Sequence, residues 1–225
     1  MESEIKNLNQ QLLNFDLEPN YAHDDFFVSK SNYFAYNLIL NWPKWEKNII
    51  NLNGDKFCGK THLTKIFIKK FKAFKIDAKN LSDEKIKEFK IHQNFVLENF
   101  DQNSVNEKLI YSLINIVEQD NKYLIINSRK ALNKYSFKLN DLNSRLKNCL
   151  NAKIELPDDS LMFAIILKNF SDRQIFTDKK IINYVIKNID RSYSKICEFI
   201  YKVDQVSLQK QKPVTIKTIK EALKI

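Results

Sequence analysis

The sequence predicts a three-layer α/β fold in which a parallel five-stranded sheet lies between two layers of helices, followed by an all-helical C-terminal part. Short apolar stretches typical of buried strands alternate with amphipathic helical stretches from residue 48 to residue 157. A glycine-containing phosphate-loop motif separates the first strand from the helix after it. From Asp158 onward the pattern is wholly helical. Alternating strands and helices favour a parallel sheet covered on both faces.

The phosphate-loop motif lies in NLNGDKFCGKTHL (51–63), which holds both glycines of the 225-residue chain. The pattern G-x-x-x-x-G-K-[ST] arises by chance in a chain of this composition about once in ten thousand. In such a loop, backbone N–H groups wrap the β-phosphate and glycine permits close approach. Lys60 would reach the β- and γ-phosphates, and Thr61 would ligate Mg²⁺. The predicted nucleotide-binding loop comprises Gly54, Asp55, Lys56, Phe57, Cys58, Gly59, Lys60, Thr61 and His62.

Two residues in the middle of this loop depart from the usual pattern. Phe57 and Cys58 stand where small residues fit more easily. We therefore expect a tight or strained phosphate cradle.

The elements around the motif follow from periodicity and turn residues. Residues 24–46 predict an extended apolar segment leading into a helix that ends near Trp42 and Pro43. Residues 48–53 predict the first strand, and residues 60–71 predict a helix. Trp42 and Trp45 are interpreted either as core residues or as a wall of the adenine site.

The rest of the chain continues the alternation. Further strands are predicted at residues 71–78, 94–101, 122–128 and 151–157, and further helices at residues 82–89, 104–121 and 138–150. Four helices are predicted in the C-terminal part, at residues 158–170, 177–189, 190–210 and 215–224. An α/β nucleotide-binding part is thus followed by a four-helix lid.

A phosphate loop of this kind needs an acidic residue at the end of a neighbouring strand to hold Mg²⁺ through water. Glu98 takes this position in FVLEN (95–99), and Asn99 follows it. An amide cannot act as a general base, and Asp101 lies two positions further on. We therefore expect little or no ATP hydrolysis by this chain alone.

Composition limits the protein class. The chain has no apolar run of about 20 residues and a polar N-terminus, so we expect a cytoplasmic protein with no membrane contact. Cys58, Cys149 and Cys197 have neither disulfide nor zinc spacing, and the last two are interpreted as core thiols. The net charge of +10 is compatible with non-specific DNA contact. The basic run at residues 65–79 is interpreted as a solvated helix face.

The motifs together resemble those of the AAA+ ATPases, and within them the DnaA-related branch and especially the Hda family, regulatory inactivators of the replication initiator DnaA. The similar segments are, in order, the phosphate loop, FVLEN (95–99), IINSR (125–129), DLNSRL (141–146) and NIDRSYSKI (188–196). The resemblance runs from about Gln10 to the C-terminus and implies an AAA+ fold.

The resemblance implies roles for residues outside the phosphate loop. It places adenine near residues 26–31 and a polar sensor at Asn127, with Ser128 as the alternative. It implies that Arg191 in the lid faces the phosphates. Arg145 matches the arginine finger that such proteins present to a nucleotide held by a neighbouring subunit.

The leader carries a further similarity. QQLLNF (10–15) resembles the clamp-binding peptide of the Hda family, with Gln10, Leu13 and Phe15 as the contact residues. The domain division is then residues 1–22 as a flexible leader, residues 23–157 as the AAA+ base and residues 158–225 as the lid. The sequence ends after the lid, so we expect no helix-turn-helix domain and no sequence-specific DNA binding.

The resemblance implies a regulatory function. The protein would bind ADP or ATP with Mg²⁺, dock on the DNA-loaded DNA polymerase III sliding clamp and present Arg145 to ATP held by DnaA. Self-association into a homo-oligomer stays open. The alternatives are a DnaC-like AAA+ loader or DNA-remodelling ATPase, a small P-loop kinase, and a scaffold that binds no nucleotide.

Overall fold

The computed structural model describes residues 25–210 and 215–223. Its centre is a five-stranded sheet in which every pair of neighbouring strands is parallel. The strands are β1 (Ile49–Asn53), β2 (Phe74–Asp77), β3 (Asn94–Phe100), β4 (Tyr123–Ser128) and β5 (Leu150–Lys153), in the order β2-β3-β4-β1-β5. The predicted parallel five-stranded sheet is confirmed. The fifth strand ends at Lys153, earlier than predicted, because its neighbour β1 ends at Asn53. The Glu155 N–H bonds to the Ser31 carbonyl, outside the sheet.

Helices cover both faces of the sheet and form the C-terminal part. Those of the α/β part are α1 (Tyr33–Leu40), α2 (Lys60–Phe71), α3 (Asp83–Glu88), α4 (Glu107–Gln119) and α5 (Asn140–Lys147). Those after the sheet are α6 (Asp159–Asp172), α7 (Lys179–Asn188), α8 (Tyr193–Lys210) and α9 (Ile216–Leu223). Side-chain caps set several starts: the Ser82 hydroxyl accepts from Lys85 N–H at α3, and Asp178 accepts from Lys180 N–H at α7.

Apolar side chains form a core on each side of the sheet. Alternate residues of a strand point to opposite faces, so Leu97 and Ile126 pack against α3, α4 and α5 while Val96 and Ile125 pack against α1 and α2. A third cluster holds α6 to α9 together. The layers therefore match the predicted three-layer arrangement with helices after it, while the domain boundary at residues 157 and 158 stays a prediction.

The two tryptophans belong to the core. The Trp45 ring stacks on Phe67 with centroids 5.5 Å apart, and the Trp42 ring lies 4.8 Å from Phe71. Both also contact Tyr123 at the amino end of β4. The amino ends of parallel strands lie at the edge opposite the phosphate loop, so these rings do not wall an adenine site.

The cysteines have the character of core thiols. Cys58 is buried, and Cys149 and Cys197 are partly buried. Burial raises the pKa of all three, that of Cys149 to about 12. Within the described ranges, no three His, Cys, Asp or Glu side chains group as a metal site. The helices of residues 25–210 and 215–223 include none with both the length and the apolarity to cross a bilayer.

Asp158 connects the segment before α1 to the start of α6. Its carboxylate accepts hydrogen bonds from the Leu161 N–H at 2.9 Å, the Ser31 N–H at 3.2 Å and the Ser160 hydroxyl at 2.5 Å. Partial burial alone would raise the pKa of Asp158, but these bonds and one from Ser29 outweigh it and lower the pKa to about 2. The charged carboxylate is the form that stabilises this junction.

We predict that Asp158→Ala lowers the free energy of unfolding by about 1 to 2 kcal/mol at pH 7, because it removes a helix cap. The folded-state pKa lies below the ordinary value of 3.8, so the contribution is fully present above pH 4 and is lost as the pH falls toward 2. Urea unfolding of both proteins at pH 7, 4 and 2.5 measures the difference. Ser171→Ala, an exposed serine near the other end of α6, is the control, and a difference that does not change with pH would contradict the prediction.

Candidate functional site

The phosphate loop joins β1 to α2 and requires glycine at both of its ends. Gly54 has φ +155° and Gly59 has φ +97°, conformations that side chains disfavour. A Cβ atom on Gly54 would lie 2.8 Å from Cys58 Sγ and 2.9 Å from the Ile154 carbonyl oxygen. A Cβ atom on Gly59 would lie 3.3 Å from the Phe26 ring. The loop is thus closely packed at both glycines, against Cys58 and Ile154 at the first and against Phe26 at the second.

Lys60 lies across this loop. Its ammonium group donates to the carbonyl oxygens of Gly54 at 2.7 Å and Asp55 at 2.8 Å, and lies 3.6 Å from Cys58 Sγ. Lys60 and Thr61 also begin α2, whose first turn contains no acidic residue. The positive end of the helix, the loop N–H groups and the ammonium together favour binding of a phosphate group.

The strain expected in the loop is located at Phe57. This residue has φ +68°, a left-handed conformation that is costly for a bulky side chain, and its ring is 55% exposed. The Lys56 ammonium lies 4.7 Å from the ring centroid. The neighbouring Cys58 side chain points inward instead and is only 4% exposed. The unusual loop sequence is therefore accommodated by turning one side chain out and burying the other.

The predicted acid lies beside the helix that follows the loop. Glu98 is 4% exposed, and its two carboxylate oxygens accept from the Thr64 hydroxyl at 2.6 Å and the Asn127 amide at 2.8 Å. This contact favours Asn127 over Ser128 as the sensor, because the Ser128 hydroxyl instead donates to the Lys130 carbonyl. Sequence reasoning missed Thr64, whose signal was its place one turn after Lys60 on the inner face of α2.

These groups suit a magnesium ion. The Asn127 side-chain oxygen is buried and has no hydrogen-bond partner among the residues that the structure describes. Together with the Glu98 carboxylate and the Thr64 hydroxyl, it offers oxygen atoms of the kind that Mg²⁺ prefers. Glu98 and Thr61 would hold the ion, and Mg²⁺ binding stays a prediction.

Asn99 is turned away from this group. It has φ +56°, and its side-chain amide donates to Asp77 on β2 at 2.6 Å. The pairing of β3 with β4 shifts register between Leu97 and Phe100 around it. Asp101 caps the turn after β3 by accepting from Asn103 N–H. The position of a water-polarising acid is thus taken by an amide held to the neighbouring strand, which gives a physical reason to expect weak hydrolysis.

The segment before α1 lies against the nucleotide-binding loop. The Phe26 ring stacks on Tyr36 with centroids 5.6 Å apart and meets the edge of His62 at 5.2 Å. The Ser31 carbonyl accepts from Glu155 N–H at 2.9 Å. These contacts place residues 26–31 beside the start of α2 and give His62 a packing role, while an adenine site at these residues stays a prediction.

The start of α8 is also attached to this region. Tyr193 is 2% exposed, lies in the same buried cluster as Cys58, and donates its hydroxyl to the Glu155 carbonyl at 2.9 Å. Burial raises its pKa. Two residues earlier, Arg191 pairs with Asp159 at 2.7 Å. The predicted approach of Arg191 to the phosphates stays a prediction, and Tyr193 had no distinguishing signal in the sequence.

Arg145 lies at the other edge of the sheet. Its guanidinium pairs with Glu118 on α4 and lies 5.5 Å from the centroid of the Tyr111 ring. Arg145 and Glu118 line an open groove with Lys47 and Asn48, the residues immediately before β1. The phosphate loop follows the opposite end of the same strand, so Arg145 cannot reach a nucleotide bound to its own loop. Gln10, Leu13 and Phe15 lie outside the described residues.

Sequence comparison finds relatives among replication proteins. The chain is 23% identical over 231 residues to the chromosomal replication initiator protein DnaA of Aliarcobacter butzleri, covering 92% of this chain and 53% of DnaA. It is 25% identical over 229 residues to an uncharacterised protein of Haemophilus influenzae, covering 92% of this chain and 97% of that protein. The chain thus spans about half the length of this DnaA. No family model matches the chain.

Comparison with solved structures identifies the fold. Domain III of the replication initiation protein DnaA from Thermotoga maritima matches with a TM-score of 0.73 and 21% identity, covering 93% of this chain and 98% of that domain. AMPPCP-bound DnaA from Aquifex aeolicus matches at 0.67 and 19%, covering 91% and 68%. A variant of RuvB from Thermotoga maritima matches at 0.70 and 13%, covering 91% and 72%. The AAA+ P-loop fold, in the form of DnaA domain III, is confirmed.

We predict that Phe57→Gly is more stable than Phe57→Ala by about 1 kcal/mol, the reverse of the usual preference for alanine. Both variants lose the ring, but alanine keeps the cost of a left-handed backbone, which glycine does not pay. Chemical denaturation of the two proteins measures the difference. The control is the same pair of substitutions at Lys56, whose backbone is not left-handed, where the alanine variant should be the more stable. If the alanine variant were the more stable at both positions, the prediction would be contradicted.

Proposed function

We propose that this chain is a AAA+ regulator of replication initiation that binds adenine nucleotide and stimulates hydrolysis of ATP held by DnaA. The observation that carries the proposal is the position of Arg145 relative to the phosphate loop. The two lie at opposite edges of one parallel sheet. Arg145 lies at the edge where β1 and β5 begin, and the phosphate loop lies at the edge where β1 ends. An arginine so placed can serve only a nucleotide held by another molecule.

Nucleotide binding follows from the loop. Lys60, the N–H groups of residues 54–61 and the start of α2 would hold the phosphates of ADP or ATP. Thr61 and Glu98 would hold Mg²⁺, which would supply positive charge beside the phosphates. Asn127 would orient the Glu98 carboxylate. The likeness to AMPPCP-bound DnaA in fold supports an adenine nucleotide as the ligand.

The chemistry would take place in the partner. Asn99, held by Asp77, offers this chain no base to activate water. Arg145 would instead place its positive charge on the transferring phosphoryl group of ATP in DnaA. An arginine finger supplied in trans accelerates such hydrolysis by about 10³ to 10⁵. The chain would then be an activator, and the ATP that is hydrolysed would be bound to its partner.

The partners follow from the same proposal. The sequence similarity of this chain to DnaA supports the proposal that the two proteins pair through related AAA+ domains. Gln10, Leu13 and Phe15 would dock on the DNA polymerase III sliding clamp by inserting apolar side chains into a preformed pocket. Clamp loaded on DNA would concentrate the chain where replication is under way, so ATP on DnaA is hydrolysed only after initiation. Non-specific DNA contact by the basic surface would add to this localisation.

We predict that ADP at about one hundred times its dissociation constant stabilises the protein by about 2.7 kcal/mol, seen as a rise in melting temperature. Lys60→Ala should lose most of this gain because it removes the cation beside the phosphates. Lys69→Ala, an exposed lysine on the same helix, is the control and should keep the gain. No shift in the wild type would favour a scaffold that binds no nucleotide.

We predict that the wild-type chain strongly accelerates hydrolysis of DnaA-bound ATP in the presence of clamp loaded on DNA. Two variants should lose the acceleration. Arg145→Ala should lose it because the finger is absent from the chemical step. A triple alanine variant of Gln10, Leu13 and Phe15 should lose it because the chain no longer binds the clamp. Lys147→Ala, on the same helix as Arg145, should keep it. Release of phosphate from DnaA loaded with labelled ATP measures the rate.

Other outcomes separate the alternatives. Turnover of ATP by the chain alone, stimulated by single-stranded DNA, would support a DnaC-like loader. Phosphate transfer to a small acceptor would support a kinase. Absence of acceleration by a folded, nucleotide-binding wild type would overturn the proposed function.

A further inference from the structure

Arg145 is held within this chain by two groups of α4. The Glu118 carboxylate pairs with its guanidinium, and the Tyr111 ring supports it at 5.5 Å from the centroid. Tyr111 and Glu118 are seven residues apart and so lie on the same face of α4. The arginine therefore lies along the helix rather than extending away from the surface.

The guanidinium meets negative charge on the side of α4. Glu118 is the second-to-last residue of this helix. The C-terminal end of a helix carries partial negative charge, which adds to that of the Glu118 carboxylate, while Lys47 lines the same groove. The positive charge that a finger must offer to a phosphate is thus partly offset inside the chain by its pairing with Glu118.

We propose that Glu118 restrains the finger as a competing anion, from which Arg145 must be released before it engages a partner that carries a triphosphate. The inference rests on the proposed function, since it concerns the same arginine. A terminal γ-phosphate carries more negative charge than a single carboxylate and can also bind a guanidinium through two charge-assisted hydrogen bonds, so it can displace Glu118. A partner that holds a diphosphate lacks this group and leaves Arg145 with Glu118.

The exposure of the pair makes the exchange feasible. The Arg145 side chain is 33% exposed and that of Glu118 is 41% exposed. Partly exposed ion pairs of this kind shift an equilibrium by only about two- to fivefold. A contact of this strength is weak enough to open when the partner binds and strong enough to lower the affinity for the ATP-bound partner by a measurable factor.

Glu118→Gln tests the proposal because it keeps the shape of the side chain and removes its charge. The measured quantity is the ratio of the dissociation constants of the chain for ADP-bound and ATP-bound DnaA on clamp-loaded DNA. We expect this ratio to rise about two- to fivefold, because the ATP form binds more tightly once Arg145 no longer has to leave a carboxylate, with no loss of the maximal hydrolysis rate. Raising the salt concentration should narrow the difference between variant and wild type.

Two further variants serve as controls. Glu118→Asp keeps the charge and should give a ratio of dissociation constants close to that of the wild type. Glu198→Gln removes an exposed glutamate that pairs with Lys195 and Lys202 on α8, and should change neither selectivity nor rate. Melting temperatures of all variants should agree with the wild type to within a few degrees, since the pair lies at the surface.

The outcomes separate this inference from the function on which it rests. Unchanged selectivity in Glu118→Gln, beside a wild type that accelerates hydrolysis, overturns the role of Glu118 alone. Slower hydrolysis in Glu118→Gln, approaching that of Arg145→Ala, also overturns the inference. The Glu118 carboxylate would then be positioning Arg145 for hydrolysis instead of competing for it. A wild type that gives no acceleration overturns both.

Discussion

The common direction of the five strands is the constraint on which the rest of this structure depends. In a parallel sheet all the carboxyl ends lie at one edge and all the amino ends at the other. Loops after β1, β3 and β4 therefore meet and bring the phosphate loop, Glu98 and Asn127 together, although about 70 residues separate the first from the last. The same geometry sends Trp42 and Arg145 to the far edge. One topological rule thus decides which side chains can act on one nucleotide.

Within the phosphate edge, the order of the site depends on satisfying a buried carboxylate. Glu98 has one oxygen paired with a helix hydroxyl and the other with a strand amide, so it ties α2, β3 and β4 to one another. An unpaired carboxylate at this depth would be strongly destabilising. The buried carboxylate therefore fixes the three elements that surround it.

The sequence predicted the elements well and individual contacts poorly, for physical reasons. The alternation of a strand and the 3.6-residue period of a helix can be read from a few neighbouring residues. All five strands and nine helices of the described ranges were therefore predicted, with ends shifted by a few positions. Thr64 and Tyr193 were missed because their partners, Glu98 and Glu155, lie more than 30 positions away. The roles of the tryptophans were undecided until the strand order placed them at the amino edge.

Tyr193 has a mechanical consequence. The tyrosine is buried among base residues at one end of α8, an 18-residue helix that spans about 27 Å. Because α8 is packed with α6, α7 and α9, a turn of about 10° at the tyrosine would carry these helices along and displace the far end of α8 by about 5 Å. A change of a fraction of an ångström beside the phosphate loop would thereby become a movement large enough for another protein to recognise.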